Sequence, residues 1–205
     1  MLITQRGFTM FKDFDLEGNL RASISKLQQS IESDSTILNQ NEESYIILKT
    51  KEYEIAPLVL YIDKITASHQ EFDIPASYFS SGFMMRDRQS FPKPVFTFHL
   101  PFDGDSQLLK TKPSTFMMWT DEISVSGNEI KFEIINFSDE VEKIQKSRDE
   151  FLSKLQQQIT NINNQVNAYN SELKDIITTS IKKAKAKFNT QADILSKLGN
   201  TPPNK

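Results

Sequence analysis

Residues 151–198 read FLSKLQQQITNINNQVNAYNSELKDIITTSIKKAKAKFNTQADILSKL. Apolar side chains return at Leu152, Leu155, Ile159, Ile162, Val166, Tyr169, Leu173 and Ile176, and the steps alternate between three and four. That alternation is the a/d pattern of a heptad, which lines one apolar seam along a helix. Ile144 lies upstream of it. After Ile176 the seam moves by one position and runs through Ile177, Ile181, Ala184, Phe188, Ala192, Leu195 and Leu198. Glutamine, asparagine, lysine and glutamate fill the other faces. Ser138 suits a helix N-cap, and Asp139, Glu140 and Glu142 suit the positive end of the helix dipole. Gly199 and Pro202 form the stop signal. A helix over this whole span would be roughly 90 Å long. Asn167, Asn170 and Ser171 mark the place where it could instead split into a hairpin.

A seam of that length needs a cover. The chain offers one other helix. Leu16, Leu20, Ile24, Leu27 and Ile31 follow at steps of four, four, three and four, with Asp13 or Asp15 as its cap. That helix is about 30 Å long, a third of the seam. The expectation is therefore that the seam meets a second copy or a partner helix, with Asn163, Gln165 and Asn167 setting register.

Between the helices the pattern changes. Tyr45–Lys49, Leu58–Ile62, Ile65–Ala67, Gln70–Ile74, Val95–Leu100, Phe116–Trp119, Glu122–Ser126 and Ile130–Asn136 are short, rich in β-branched and aromatic residues, and bounded by Pro, Gly, Asn and Asp. In EISVSGNEIKFEII, Ile123 and Val125 alternate with polar residues. Ser126-Gly127-Asn128 then turns the chain, and Ile130, Phe132 and Ile134 alternate on the return. Asp103-Gly104 is a second turn signal. Most of the fifteen phenylalanines fall in this region, which places the aromatic core there. The predicted fold class is α+β: an antiparallel β-rich domain with an N-terminal amphipathic helix and a long C-terminal helical, coiled-coil-like arm. The predicted division is 1–44 for the first helix and a linker, 45–137 for the β domain, 138–199 for the long helix or helical hairpin, and 200–205 for a tail.

The bulk numbers narrow the function classes. The chain has 205 residues and a net charge of −3, so no global basic field points to nucleic acid or an anionic membrane. It has no cysteine, which excludes disulfides, thiolate nucleophiles and cysteine zinc sites and fits a cytoplasmic setting. The N-terminus carries Arg6, Lys12 and Asp13 and lacks the apolar core of a signal peptide. No apolar run approaches a membrane span.

The segments IPASYFSSGF (74–83), SFPKPVFTFHLPFDGDSQLLKTKPSTF (90–116), ISVSGNEIKFEI (123–134) and ADILSKLG (192–199) occur in this order. In that order they resemble the N-terminal region of a family of large bacterial proteins of largely unassigned role. The resemblance spans residues 45–199. It implies a leader module that is followed, in such relatives, by a proline-rich linker and a PD-(D/E)xK nuclease-type domain. It implies a bacterial cytoplasmic protein of anti-phage defence or DNA restriction. The sequence stops before any nuclease part, so no nuclease residue carries over, and the ending reads either as a piece of a longer chain or as a short member of a longer family.

Candidate chemistry is sparse. Asp103 or Asp121 followed by Glu129-Ile130-Lys131 mimics the D…ExK order, in which two carboxylates hold a magnesium ion and a lysine steadies the attacking water. The ordinary reading is an exposed hairpin face. Asp103 and Asp105 resemble a fragment of a calcium loop without its later ligands, and read as turn caps. His69 and His99 are the two histidines, and no serine–histidine–acid motif stands out. Lys182, Lys183, Lys185 and Lys187 could touch phosphates, and read otherwise as a solvated helix face. Met84–Arg88 and Met117–Trp119 are docking candidates if exposed. No cofactor or metal is implied. The leading expectation is a non-catalytic oligomerisation and recognition module, regulating an effector supplied by the same chain or by a partner. A nucleic-acid-binding arm of a restriction-like protein is the first alternative, and a metal-dependent nuclease the second.

Overall fold

The computed structural model describes residues 7–79, 90–115, 119–137 and 140–199. In chain order the elements are strands β1 (Phe8–Thr9) and β2 (Phe14–Asp15), helices α1 (Leu16–Ser33) and α2 (Glu42–Tyr53), strands β3 (Val59–Leu60), β4 (Thr66–Pro75), β5 (Ser90–Asp103), β6 (Thr111–Lys112), β7 (Glu122–Ser126) and β8 (Glu129–Ile135), and helix α3 (Val141–Lys197). The fold is α+β with an antiparallel sheet, an N-terminal helix and a long C-terminal helix. Tyr45–Lys49 is not a strand but the middle of α2. The Asn41 side chain caps that helix by accepting from the Ser44 amide at 2.9 Å, and Glu42 and Glu43 suit its first turn. These cues override the β-branched pair Ile46-Ile47. The C-terminal region is one uninterrupted helix, so neither Asn167 nor Asn170 splits it. The proposed Ser138 cap, the Met84–Arg88 segment and Met117-Met118 lie outside the described residues.

The chain forms two compact units that do not follow sequence order. One holds the described residues up to Leu16 together with Ala56–Asn164, and the other holds Glu17–Ile55 with the residues from Gln165 onward. The chain passes between the units after Leu16, after Ile55 and after Asn164, the last of these inside α3.

In the first unit the strand order is β1-β7-β8-β5-β3, and β4 joins the same edge of β5 as β3. β4 pairs with β5 from Thr66↔His99 to Pro75↔Ser90, and β3 takes the far end through Leu60↔Phe102 and Val59↔Asp103. Gly127, at φ +58°, opens the two-residue turn of the β7–β8 hairpin, as a II′ turn requires of its first position. Alternation then sends Ile123, Ile130, Phe132, Phe98, Leu100 and Phe102 into the core. Phe132 stacks between Phe98 at 5.1 Å and Phe151 of α3 at 3.9 Å. Trp119 closes this cluster edge-on against Phe151.

The second unit is a three-helix bundle. Ser23 of α1 bonds Tyr169 at 3.0 Å and Glu32 meets Lys183 at 2.6 Å, so α1 runs parallel to the later half of α3. Glu42 at the start of α2 meets Lys185 at 2.7 Å, while the Tyr53 carbonyl at its end accepts from the Tyr169 hydroxyl at 3.1 Å, so α2 runs antiparallel. Leu20, Leu27, Ile31, Tyr45, Val166, Leu173, Ile177 and Ile181 form its core.

Two asparagines of α3, one heptad apart, hold extended backbone within their own units. Asn163 donates to the Leu58 carbonyl at 2.8 Å and accepts from the Leu58 amide at 2.9 Å. Asn170 does the same to Ile55 at 2.8 and 3.1 Å. Asn163 therefore uses its amide inside the chain instead of setting an oligomer register. Asn163→Asp or Asn170→Asp keeps the shape but turns the donor into an acceptor facing a carbonyl. Each is expected to cost about 2 kcal/mol in urea unfolding at neutral pH. The deficit should shrink in acid, where the new carboxyl is protonated and can donate again.

Candidate functional site

The predicted oligomer seam is not vacant. Leu152, Leu155, Ile159, Ile162, Val166, Tyr169 and Leu173 are all buried within the single chain. Ile176 is half-buried, and Ile177 takes the inward position, followed by Ile181 and Ala184. This corrects the expectation of an uncovered stripe. Up to Ile162 the seam belongs to the sheet-bearing unit, whose aromatic face packs on α3 at Phe151. From Val166 it belongs to the bundle, where α1 is joined by α2, the helix that contains Tyr45–Lys49.

The cover ends near Lys185. Beyond it Phe188 is half-buried and Ala192 is exposed, while Ile194, Leu195 and Leu198 are 52%, 43% and 68% exposed. Phe188, Ala192, Leu195 and Leu198 continue the seam for about three more turns, with Ile194 beside it, one turn before Leu198. Gly199, at φ +73°, caps the end, with its amide bonded to the Ser196 carbonyl.

The lysine run divides into two pairs. Lys183 is bonded to Glu32 and Lys185 to Glu42, which tie α3 to α1 and α2. The Lys183 hydrogen bond, its charge and the more distant charge of Lys187 hold the Glu32 carboxyl below its usual range. Lys182 and Lys187 form no ion pair among the described residues. Exposed pairs of this kind orient helices more than they stabilise them.

The nuclease-like residues do not assemble. Asp103 accepts from the Gly104 amide and Asp121 from the Glu122 amide, both at 2.8 Å, as turn residues do. Asp105 caps the short helical turn Ser106–Lys110 through the Gln107 amide. Among the described residues no group of three or more His, Cys, Asp or Glu side chains is placed to hold a metal ion. His69 stacks on Phe96 at 5.7 Å.

A different polar cluster does form, on the sheet face opposite the aromatic core. In register, Lys131 lies across from His99, Glu129 across from Pro101, and Ser68 across from Thr97. Residues two apart on a strand share a face, so Ser68, His99 and Glu129 fall on one diagonal over β4, β5 and β8. Ser68 Oγ lies 3.1 Å from His99 Nε2, and His99 Nδ1 lies 3.0 Å from Glu129 Oε1. Lys131 Nζ stands 3.4 Å from the same Glu129 oxygen. The His99 hydrogen bond, with help from Lys131, holds the Glu129 carboxyl below its usual range. An ionised Glu129 accepts only, so it fixes the proton on Nδ1 and leaves Nε2 to accept from Ser68. The sequence carries no local sign of this set, because its members are joined only by strand register.

Among the described residues no helix is long and apolar enough to cross a membrane. Comparison with protein-family models, curated proteins and solved structures finds no match, so the assignment rests on the geometry of this chain.

Proposed function

We propose that this chain is an interaction module that self-associates through the last turns of α3 and regulates an effector. The observation that carries the reading is the run of Ile194, Leu195 and Leu198, exposed on a helix whose preceding seam is buried. A soluble helix presents such a stripe when another helix covers it. The stripe continues the same heptad seam, so a second copy supplies a matching surface. About three turns make a small interface, which fits concentration-dependent association. On the resemblance of residues 45–199, the effector would be a nuclease-type domain of a bacterial, cytoplasmic defence or restriction system. That assignment rests on the resemblance alone.

Light scattering at high micromolar concentration tests the association. The expected result is a dimer or larger species that becomes monomeric in the Leu195→Glu, Leu198→Glu double variant. Its melting temperature should stay close to the parent's, because both positions are exposed. A parent chain that is monomeric under these conditions overturns the proposal.

A second reading is nucleic-acid contact, which Lys182 and Lys187 favour because neither is held in an ion pair among the described residues. It is the weaker reading, since Lys183 and Lys185 are already paired with carboxylates. A gel shift at low salt that disappears in Lys182→Glu, Lys187→Glu would support it.

A further inference from the structure

We infer that Ser68 is an activated nucleophile, and that the open sheet face can transfer acyl groups from activated esters. This goes beyond the interaction reading and does not depend on it. A serine hydroxyl becomes reactive when a base is placed to take its proton and a third group orients that base. All three parts are present: Ser68 Oγ at 3.1 Å from His99 Nε2, and His99 Nδ1 at 3.0 Å from Glu129. The roles follow from geometry, since the residues lie on three different strands. The His99 hydrogen bond, and after it Lys131, hold the Glu129 carboxyl below its usual range. Ser68 itself is exposed and His99 is half-buried, so an incoming carbonyl can reach the hydroxyl.

The chemistry is a two-step transfer. Ser68 Oγ forms a bond to the acyl carbon while its proton passes to His99 Nε2. The bond from that carbon to the leaving oxygen or sulfur breaks, and the leaving group departs with the electron pair and takes the proton from His99. Water then attacks the acyl carbon, gives its proton to His99, and the acid leaves as Ser68 regains a proton. The net reaction is ester plus water to acid plus alcohol, or thioester plus water to acid plus thiol.

The openness of the face sets the substrate class. A dry pocket of donors for the developing oxyanion contributes roughly a hundredfold or more to such reactions. An open sheet face surrounded by water lacks that enclosure. The site therefore suits aryl esters and thioesters, whose leaving groups depart readily, and not amides. Slow turnover favours accumulation of the acyl-Ser68 form.

The test is intact-protein and peptide mass spectrometry after incubation with p-nitrophenyl acetate, and separately with a fluorophosphonate probe. The expected result is one adduct, on Ser68, formed slowly at neutral pH. Ser68→Ala should abolish it, and His99→Ala should slow it about a hundredfold. Glu129→Gln should slow it less and change its pH profile. Ser68 is exposed, so Ser68→Ala should fold, which circular dichroism checks. No adduct, an adduct on a lysine amine instead, or labelling unchanged in His99→Ala overturns the inference.

Discussion

Phe132→Ala is expected to lower the stability of the sheet-bearing unit by about 4 kcal/mol. The ring is 2% exposed and sits between Phe98 at 5.1 Å and Phe151 at 3.9 Å. Removing it takes away the transfer free energy of a buried aromatic side chain. It also leaves a cavity that two stacked rings on separate elements cannot close. Phe132→Leu keeps much of the volume and should cost less than half as much. Trp119 is the chain's one tryptophan, and it lies edge-on against Phe151, in contact with the same cluster. Its fluorescence during denaturant unfolding therefore reports this unit, while far-ultraviolet circular dichroism follows the helices as well. A Phe132→Ala transition that overlays the parent's would mean that the aromatic stack does not hold the unit together.

The second large effect is expected at Gly104. It has φ +101°, a conformation side chains rarely adopt, and a Cβ built there would lie 2.1 Å from the Pro57 carbonyl oxygen. That oxygen belongs to backbone held beside the turn. The Asp105 amide donates to the Ala56 carbonyl at 3.0 Å, and Leu60↔Phe102 and Val59↔Asp103 pair immediately next to it. Gly104→Ala must therefore disturb both the turn and the β3–β5 pairing, at a cost of about 3 kcal/mol. Gly127 is the control. It also has positive φ, but nothing lies within 4 Å of its Cβ position. Gly127→Ala should cost only the conformational penalty of about 1 kcal/mol. Equal effects at the two glycines would show that the close approach of Pro57 is unimportant.

What could be read in advance depended on how local the information was. The β7–β8 hairpin was legible because alternation and the turn lie within one short stretch, and its strands fall where the pattern puts them. α1 and α3 were legible because a period of three and four persists over many residues. Tyr45–Lys49 misled because Ile46 and Ile47 favour strands, whereas the Asn41 cap and the inward-facing Tyr45 favour a helix. Tyr45 also donates to Asp34 at 3.0 Å, a bond that joins α2 to the turn after α1.

The sequence by itself determined the periodic elements, the α+β class and the apolar seam, since each is written in residue spacings of four or fewer. Only the tertiary structure decided what covers the seam. The sheet's aromatic face packs on its first half within one unit, and two helices enclose its second half within the other, leaving Ile194, Leu195 and Leu198 outside. It also brought Ser68, His99 and Glu129 together, although about thirty residues separate each from the next. The physical reason is the same in both cases. Burial and strand register are set by which distant segments pair, and a one-residue slip in β4 or β8 would send these side chains to opposite faces.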